Sequence, residues 1–66
     1  MRVYLRPQGR TVEVHGRRSV MKLLRELGIL SGTAMVIRND ELLTDGDMLD
    51  EGDEIEIRAV ISGGAP

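Results

Sequence analysis

The sequence of 66 residues contains no cysteine, no phenylalanine and no tryptophan, and it has a single tyrosine. Without cysteine the chain can form no disulfide framework, no thiolate nucleophile and no cysteine-based metal site. Because aromatic residues are nearly absent, the core must be built from Val, Ile, Leu and Met. A chain of this length forms one small domain that has to be stabilised by packing alone.

Long apolar runs are also missing. No stretch reaches the length of a transmembrane helix, and the N-terminus lacks the charged, apolar and small-residue regions of a signal peptide. We therefore expect a cytoplasmic protein that does not associate with membranes.

Groups suited to catalysis or metal binding are few. His15 is the only imidazole and stands on a predicted strand with neither serine nor cysteine beside it, so we expect an ordinary surface histidine. The acidic residues between positions 45 and 53 do not follow the spacing of a calcium loop, which favours a solvated acidic loop. We expect no catalytic residue and no metal site, and hence a protein that is not an enzyme.

Charge is distributed unevenly along the chain. Residues 1–39 carry eight Lys or Arg against two Glu, whereas residues 40–66 carry nine Asp or Glu against one Arg. This asymmetry is typical of a polar partner-binding face, but it equally fits basic and acidic strands that neutralise one another across a sheet. The basic residues are scattered without aromatics among them, which argues against sequence-specific binding of nucleic acid.

The first fifteen residues alternate between apolar and polar with period two, interrupted by a turn at residues 7–10. This pattern predicts a β-hairpin. The side chains expected to face the core are Met1, Val3, Leu5, Val12 and Val14.

The next segment changes to a helical period. An apolar stripe at i, i+3, i+4 and i+7 is formed by Val20, Leu23, Leu24 and Leu27. It predicts a helix of about ten residues, with Ser19 as N-cap and Gly28 as the left-handed residue that ends it. Met21 flanks the stripe and is expected to fill gaps in the core.

Strand patterns return after the helix. Ile29 and Leu30 are expected to tuck under it, residues 34–38 form an apolar third strand, and Asn39-Asp40 forms a tight turn into a short fourth strand at residues 41–43. In the acidic loop at residues 44–53, Met48 and Leu49 are expected to act as apolar anchors. Residues 54–61 then form the clearest strand of the chain.

This order of elements predicts an α+β roll of the β-grasp type, with a mixed sheet of four to five strands and one main helix on one face. The last strand would lie in the centre, parallel to the first, so that Arg2 and Arg6 lie near Glu54 and Glu56. We expect a domain over residues 1–61 and a flexible C-terminal tail over residues 62–66.

The tail contains two adjacent glycines, Gly63 and Gly64, which give a slim segment suited to a narrow channel of another protein. The whole chain, and in particular the segments 49–57 and Ile61-Ser62-Gly63-Gly64, resembles the ThiS/MoaD family of ubiquitin-like sulfur carriers. Within that family it is most similar to the TtuB-like carriers for tRNA 2-thiouridine, through Met1-Arg2-Val3, Glu41-Leu42-Leu43-Thr44 and the Ile-Ser-Gly-Gly ending.

The resemblance implies a mechanism in which a partner supplies the catalysis. A ubiquitin-activating-type enzyme would use ATP and Mg²⁺ to adenylate the carboxylate of Gly64, and a sulfurtransferase or cysteine desulfurase would supply the sulfur of a thiocarboxylate. Ser62, Gly63 and Gly64 would thread the channel of the adenylating enzyme, while Leu42 and Leu43 would dock on it. The acceptor would be a synthase for thiamine thiazole, molybdopterin or a cysteine precursor, or a tRNA thiolase.

The sequence departs from the family in one respect, since Ala65 and Pro66 follow the second glycine. We expect a JAMM-type zinc metalloprotease to remove them, because only then is the carboxylate of Gly64 exposed. Two other functions remain open at this point. The chain could be a protein modifier joined through Gly64 to target lysines, or a non-covalent interaction module with an inert tail.

Overall fold

The computed structural model describes residues 1–6 and 8–59. Within these ranges the chain forms, in order, β1 (Arg2–Arg6), β2 (Arg10–Glu13), β3 (Arg18–Ser19), α1 (Val20–Glu26), a 3-10 turn (Ser31–Thr33), β4 (Ala34–Arg38), β5 (Glu41–Leu43), β6 (Met48–Leu49) and β7 (Glu54–Ala59). Pro7 in the first predicted turn and all of the tail at 62–66 lie outside the described residues. In the described part of the chain, no helix has the length and apolar character needed to cross a bilayer.

Five strands form one mixed sheet in the order β2-β1-β7-β4-β5. β7 lies in the centre, parallel to β1 and antiparallel to β4, and the outer pairs are antiparallel. A parallel pair needs a long crossover between its strands, and here the intervening chain includes α1. This is the β-grasp arrangement expected from the sequence.

The two predicted capping residues, Ser19 and Gly28, bound the helix, which is nevertheless shorter than expected. The Ser19 hydroxyl accepts a hydrogen bond from the Lys22 amide at 3.1 Å. At the other end Gly28 has φ +75°, and two amides bond back to helix carbonyls: Gly28 N to Arg25 O at 3.1 Å and Ile29 N to Leu24 O at 2.8 Å. This pair is the Schellman motif, and it stops α1 after seven residues instead of the ten expected.

A second, two-stranded ladder was not expected from the sequence. β3 pairs with β6 in antiparallel register, Arg18 opposite Leu49 and Ser19 opposite Met48. The acidic loop at residues 44–53 also provides hydrogen-bond acceptors for two amides at the start of α1. Val20 N donates to Asp47 O at 2.9 Å, and Met21 N donates to Asp45 O at 3.1 Å. The acidic loop is therefore tied to the base of the helix.

The core lies between α1 and one face of the sheet, and Leu49 closes it from the loop. Its buried residues are Met1, Val3, Val20, Leu23, Leu24, Val36, Leu49, Ile55 and Ile57. Around them pack six partly buried side chains: Leu5, Val14, Leu27, Ala34, Ile29 and Leu43.

Four expected core positions are more exposed than the sequence suggests. Met21 and Met48 are 42% and 39% exposed, and Leu30 is 75% exposed. Val12 is only half-buried on the outermost strand, β2. Val12 lacks a neighbouring strand on one side because β2 lies at the edge of the sheet. Of the apolar residues expected to anchor the two loops, only Ile29 and Leu49 pack in or against the core.

The charge asymmetry is largely neutralised within the fold. Three arginines of the first 39 residues pair with carboxylates of the remainder: Arg6 with Glu56 at 2.8 Å, Arg17 with Asp50 at 2.7 Å and Arg38 with Asp53 at 2.9 Å. Arg2 lies opposite Glu54 in the β1–β7 register. Much of the charge asymmetry is therefore explained by basic and acidic residues that neutralise one another within the fold, which is the second of the two interpretations given above.

Candidate functional site

The central strand β7 is the base of the C-terminal segment. Ile55 and Ile57 point into the core and are 0% and 1% exposed, which fixes the strand on its inner face. Its last residue, Ala59, is paired with Ala34 at the start of β4. The predicted functional residues Ser62, Gly63 and Gly64 lie outside the described residues, three to five positions beyond this anchored end.

The face of the sheet opposite α1 is here called the outer face. Side chains alternate across a strand, so the registers with buried Val3, Val36 and Ile57 identify the residues on this face. Its apolar members come from three strands: Tyr4, Met35, Ile37 and Leu42. Met35 and Leu42 are 38% and 61% exposed, so the outer face presents apolar surface to solvent.

An ionic bridge crosses the middle of the outer face. Glu56 on β7 accepts a hydrogen bond from Arg58 Nε at 2.8 Å and forms an ion pair with Arg6, whose Nε also lies 2.8 Å away. The hydrogen bond from Arg58 is the main cause that lowers the pKa of the Glu56 carboxyl, and Arg6 adds to it. The bridge is thus charged at neutral pH and sits between Tyr4 of β1 and Ile37 of β4.

Leu42 and Leu43, the predicted docking pair, point in opposite directions. Leu42 is opposite Ile37 on the outer face, whereas Leu43 is opposite Val36 and packs against the core. The short hairpin that carries them turns at Asn39 and Asp40, which both have positive φ, 53° and 63°. Leu42 is therefore available to a partner and Leu43 is a structural residue.

Tyr4, Met35 and Ile37 were not among the docking residues predicted from the sequence. A signal was present in β4, where residues 34–37 are all apolar, because a strand with one solvent-facing side normally alternates. Because both the odd-numbered and the even-numbered positions of this stretch are apolar, the sequence indicates that the outer side of β4 is apolar as well.

Other predicted candidates are placed elsewhere. The His15 side chain is 80% exposed, and its Nδ1 lies 3.9 Å from Glu51. In the acidic loop, Asp45 accepts from the Ser31 hydroxyl at 2.7 Å and Asp47 from the Thr44 amide at 2.7 Å. Within residues 1–6 and 8–59, no group of three His, Cys, Asp or Glu side chains is placed to hold a metal ion.

Asp53, the residue before β7, is hydrogen-bonded to Arg38 at the end of β4 and to the Asp50 amide. This group of three residues is here called the clip. The Asp53 carboxylate accepts from the Asp50 amide at 2.8 Å and from Arg38 Nη1 at 2.9 Å, and the same Arg38 nitrogen donates to Met48 O at 3.0 Å. The hydrogen bond from the Asp50 amide, followed by that from Arg38, lowers the pKa of Asp53.

The clip gives the fold a defined dependence on pH. A lowered folded pKa contributes stability above the unfolded value of about 3.9, and this contribution is lost as pH falls through the folded pKa. We expect Asp53→Asn to lower the free energy of unfolding by about 1–2 kcal/mol at neutral pH, and by progressively less as the pH falls below the unfolded value and through the folded pKa. Urea unfolding of both proteins at several pH values measures this.

Asp40→Asn is the matched control, because Asp40 is exposed in a turn and asparagine tolerates the same backbone conformation. We expect it to change the stability little at any pH. A loss for Asp53→Asn that stays constant down to acid pH would show that the charge of Asp53 is not what stabilises the clip.

The helix side of the molecule carries a separate apolar groove. It is lined by Met21, Leu24, Arg25, Gly28, Ile29, Leu30 and Ser31 and encloses about 340 Å³. Leu30, at its rim, is the most exposed large apolar side chain in the described part of the chain. This groove and the outer face lie on opposite sides of the sheet.

The fold and the site together define a class of protein. A family model described as the ThiS family matches residues 4–64, so the matched region runs through Gly63 and Gly64 and leaves out Ala65 and Pro66. The chain belongs to the ThiS family. It is also 45% identical over 65 residues, 97% of this chain and 100% of the relative, to the sulfur carrier protein TtuB of Thermus thermophilus.

Proposed function

We propose that this chain is a sulfur carrier for tRNA thiolation, whose reactive group is the C-terminal carboxylate of Gly64. The observation that carries the proposal is a fixed central strand, β7, that ends three positions before a Ser-Gly-Gly segment in the sequence, in a chain whose family match ends at Gly64. The similarity to a named sulfur carrier over the whole length of that relative supports it.

The chemistry needs an activated carboxylate. A carboxylate oxygen of Gly64 attacks the α-phosphate of ATP on the partner enzyme, and pyrophosphate leaves while Mg²⁺ neutralises the phosphate charge. A sulfide or persulfide sulfur then attacks the acyl carbon and AMP departs. With a persulfide donor, a second thiol cleaves the remaining S–S bond and releases the thiocarboxylate. The chain is a substrate throughout and supplies no catalytic residue.

The carboxylate of Gly64 must first be released. In the full sequence it is the carbonyl of a peptide bond to Ala65, which ATP cannot adenylate. We propose that a zinc metalloprotease of the JAMM type removes Ala65-Pro66. The remaining proposed partners are a ubiquitin-activating-type adenylating enzyme, a sulfurtransferase or cysteine desulfurase, and a tRNA thiolase. We propose that the protein acts with them in the cytoplasm.

The outer face is the proposed docking surface for the adenylating enzyme. Its apolar residues Tyr4, Met35, Ile37 and Leu42 surround a charged bridge, and an apolar patch with a few fixed charges is typical of specific interfaces. β7 contributes to this face and also leads into the tail. A partner bound there therefore contacts the strand from which Ser62, Gly63 and Gly64 enter its channel.

Intact mass measurement on protein purified from its native cell tests the proposal. We expect the mass of residues 1–64, with a fraction of molecules heavier by the difference between sulfur and oxygen. The mass of all 66 residues in fully active protein would show that the carboxylate of Gly64 is not the reactive group. Isopeptide-linked species without any thiocarboxylate would instead indicate a protein modifier.

Leu42→Ser is expected to weaken docking without disturbing the fold. An anchoring apolar residue contributes about 1–2 kcal/mol to an interface, so the KM of the adenylating enzyme for the chain should rise about 5- to 30-fold. The kcat should change little, because Leu42 lies two strands away from β7, level with Glu56 and not with the C-terminal end of that strand. ATP–pyrophosphate exchange at varied carrier concentration measures both constants.

Leu30→Ser is the matched control, since Leu30 is even more exposed than Leu42 but lies on the helix side. We expect a KM within about twofold of the parent, as for most surface substitutions outside an interface. If the two variants raise KM equally, or if Leu30→Ser alone does, the docking surface is not the outer face.

A further inference from the structure

Primary amines are scarce in this protein. Eight of its nine basic residues are arginines, and Lys22 is its only lysine. The chain therefore has two amines that an activated carboxylate could acylate, the α-amino group of Met1 and the ε-amino group of Lys22. Both lie in the part of the chain that the structure describes.

The amine of Met1 is held in the fold. Its nitrogen donates to the Val14 carbonyl at 2.7 Å, and Glu51 Oε1 lies 4.0 Å away. Met1 itself is 4% exposed and belongs to the core. To attack an acyl carbon, this nitrogen would have to lose its hydrogen bond and leave the edge of the β1–β2 hairpin.

Lys22 has the opposite environment. It is exposed on α1, and no carboxylate within residues 1–6 and 8–59 forms an ion pair with it. Its backbone amide is fixed by the Ser19 cap, so the position of the residue is set while the side chain extends into solvent. Because α1 covers the inner face of the sheet, Lys22 lies on the side away from the outer face.

We propose that Lys22 is an acyl-acceptor site, which forms an isopeptide bond with Gly64 of a second copy of this chain. The inference rests on the proposed function, because the Gly64 adenylate is the electrophile. The unprotonated Nζ attacks the acyl carbon, a C–N bond forms, the C–O bond to AMP breaks, and AMP leaves with the electron pair. The extra proton on nitrogen passes to water.

The single acceptor limits the product to one linkage. Each copy offers one accessible amine and one activated carboxylate, so copies join head to tail through Gly64–Lys22 without branching. A copy docked through its outer face keeps Lys22 accessible, so the linkage and the docking are compatible.

The test uses chain 1–64 with its adenylating enzyme, ATP and Mg²⁺ and without a sulfur donor. We expect a covalent dimer on denaturing gels and, after trypsin digestion, a branched peptide in which residues 59–64 are attached to residues 19–25. Lys22→Arg should abolish the dimer. The double variant Lys22→Arg/Arg25→Lys should restore it with the branch on position 25, one turn along the same exposed helix surface.

Sulfide added to parallel mixtures separates this inference from the proposed function. The parent chain and Lys22→Arg should form the thiocarboxylate of Gly64 equally well. If the thiocarboxylate forms but no branch appears on Lys22, the acceptor site is wrong and the carrier function stands. A branch on residues 1–2, or a monomer that has lost one water by internal closure, would also overturn the proposal. If neither adenylate nor thiocarboxylate forms, both proposals fail.

Discussion

Chain 1–63 is expected to be a poor substrate for adenylation, although it still ends in a glycine carboxylate. Removing Gly64 shortens the tail by one residue, about 3.3–3.6 Å, while docking through the outer face is unchanged. A displacement of even about 1 Å from the reacting geometry costs about 100-fold in rate. We therefore expect kcat for adenylation to fall about 100-fold or more relative to chain 1–64, with a similar KM. ATP–pyrophosphate exchange measures both.

Two further chains sharpen this comparison. Ser62→Ala in chain 1–64 keeps the length and the carboxylate position, and its rate should remain within a few fold of the parent. The full chain of 66 residues should form no adenylate of Gly64, because the peptide bond to Ala65 occupies that carbonyl. If chain 1–63 is adenylated as fast as chain 1–64, the distance between the docking surface and the reacting carboxylate is not fixed.

Leu24→Ala is expected to have the largest effect on stability. Leu24 is 1% exposed in the core between α1 and the sheet, and truncating a buried leucine costs about 2–5 kcal/mol. A domain of this size has a total stability of about 3–10 kcal/mol, so the variant should lose a large part of it. Thermal and urea unfolding measure the loss.

Met21→Ala is the matched control on the same helix. Met21 is 42% exposed, and we expect a loss of no more than about 0.5–1 kcal/mol, because little buried surface is removed. Equal losses for the two variants would mean that α1 packs on the sheet with a different face.

The elements that follow from local sequence signals were predictable. The helix caps Ser19 and Gly28, the Asn39-Asp40 turn and the alternation along β7 each depend on a few neighbouring residues. Their order, together with the preference for a covered sheet, was sufficient for the β-grasp arrangement and for β7 at its centre.

What was not predictable depends on distant contacts. β3 and β6 are two residues each, too short for a periodic pattern, and they form because the acidic loop folds back on the start of α1. The exposure of Leu30 follows from the Schellman motif, which turns the chain so that Ile29 packs inward. Adjacent residues of a strand face opposite sides, so only Leu42 of the predicted docking pair lies on the outer face, while Leu43 packs against the core. The docking role itself stays a prediction.

The predicted functional residues also form two groups, those proposed from the sequence alone and those that depend on contacts between distant strands. The roles of Ser62, Gly63 and Gly64 rest on the resemblance to the ThiS family and on chemical reasoning about a terminal carboxylate, and they stay predictions. The outer face, by contrast, needed the pairing of β1, β7, β4 and β5, because its residues are scattered from Tyr4 to Leu42.

The central position of β7 also determines how the domain responds to mechanical force. Force applied at Ala59, the C-terminal end of β7, would pass along a strand that is hydrogen-bonded on both sides, to β1 and to β4. Force along a strand acts on these two rows of hydrogen bonds in shear, so several must break together before the strand slides. An edge strand would be peeled away one bond at a time. We therefore expect the domain to remain folded under a force on the C-terminal end of β7 that would peel an edge strand away.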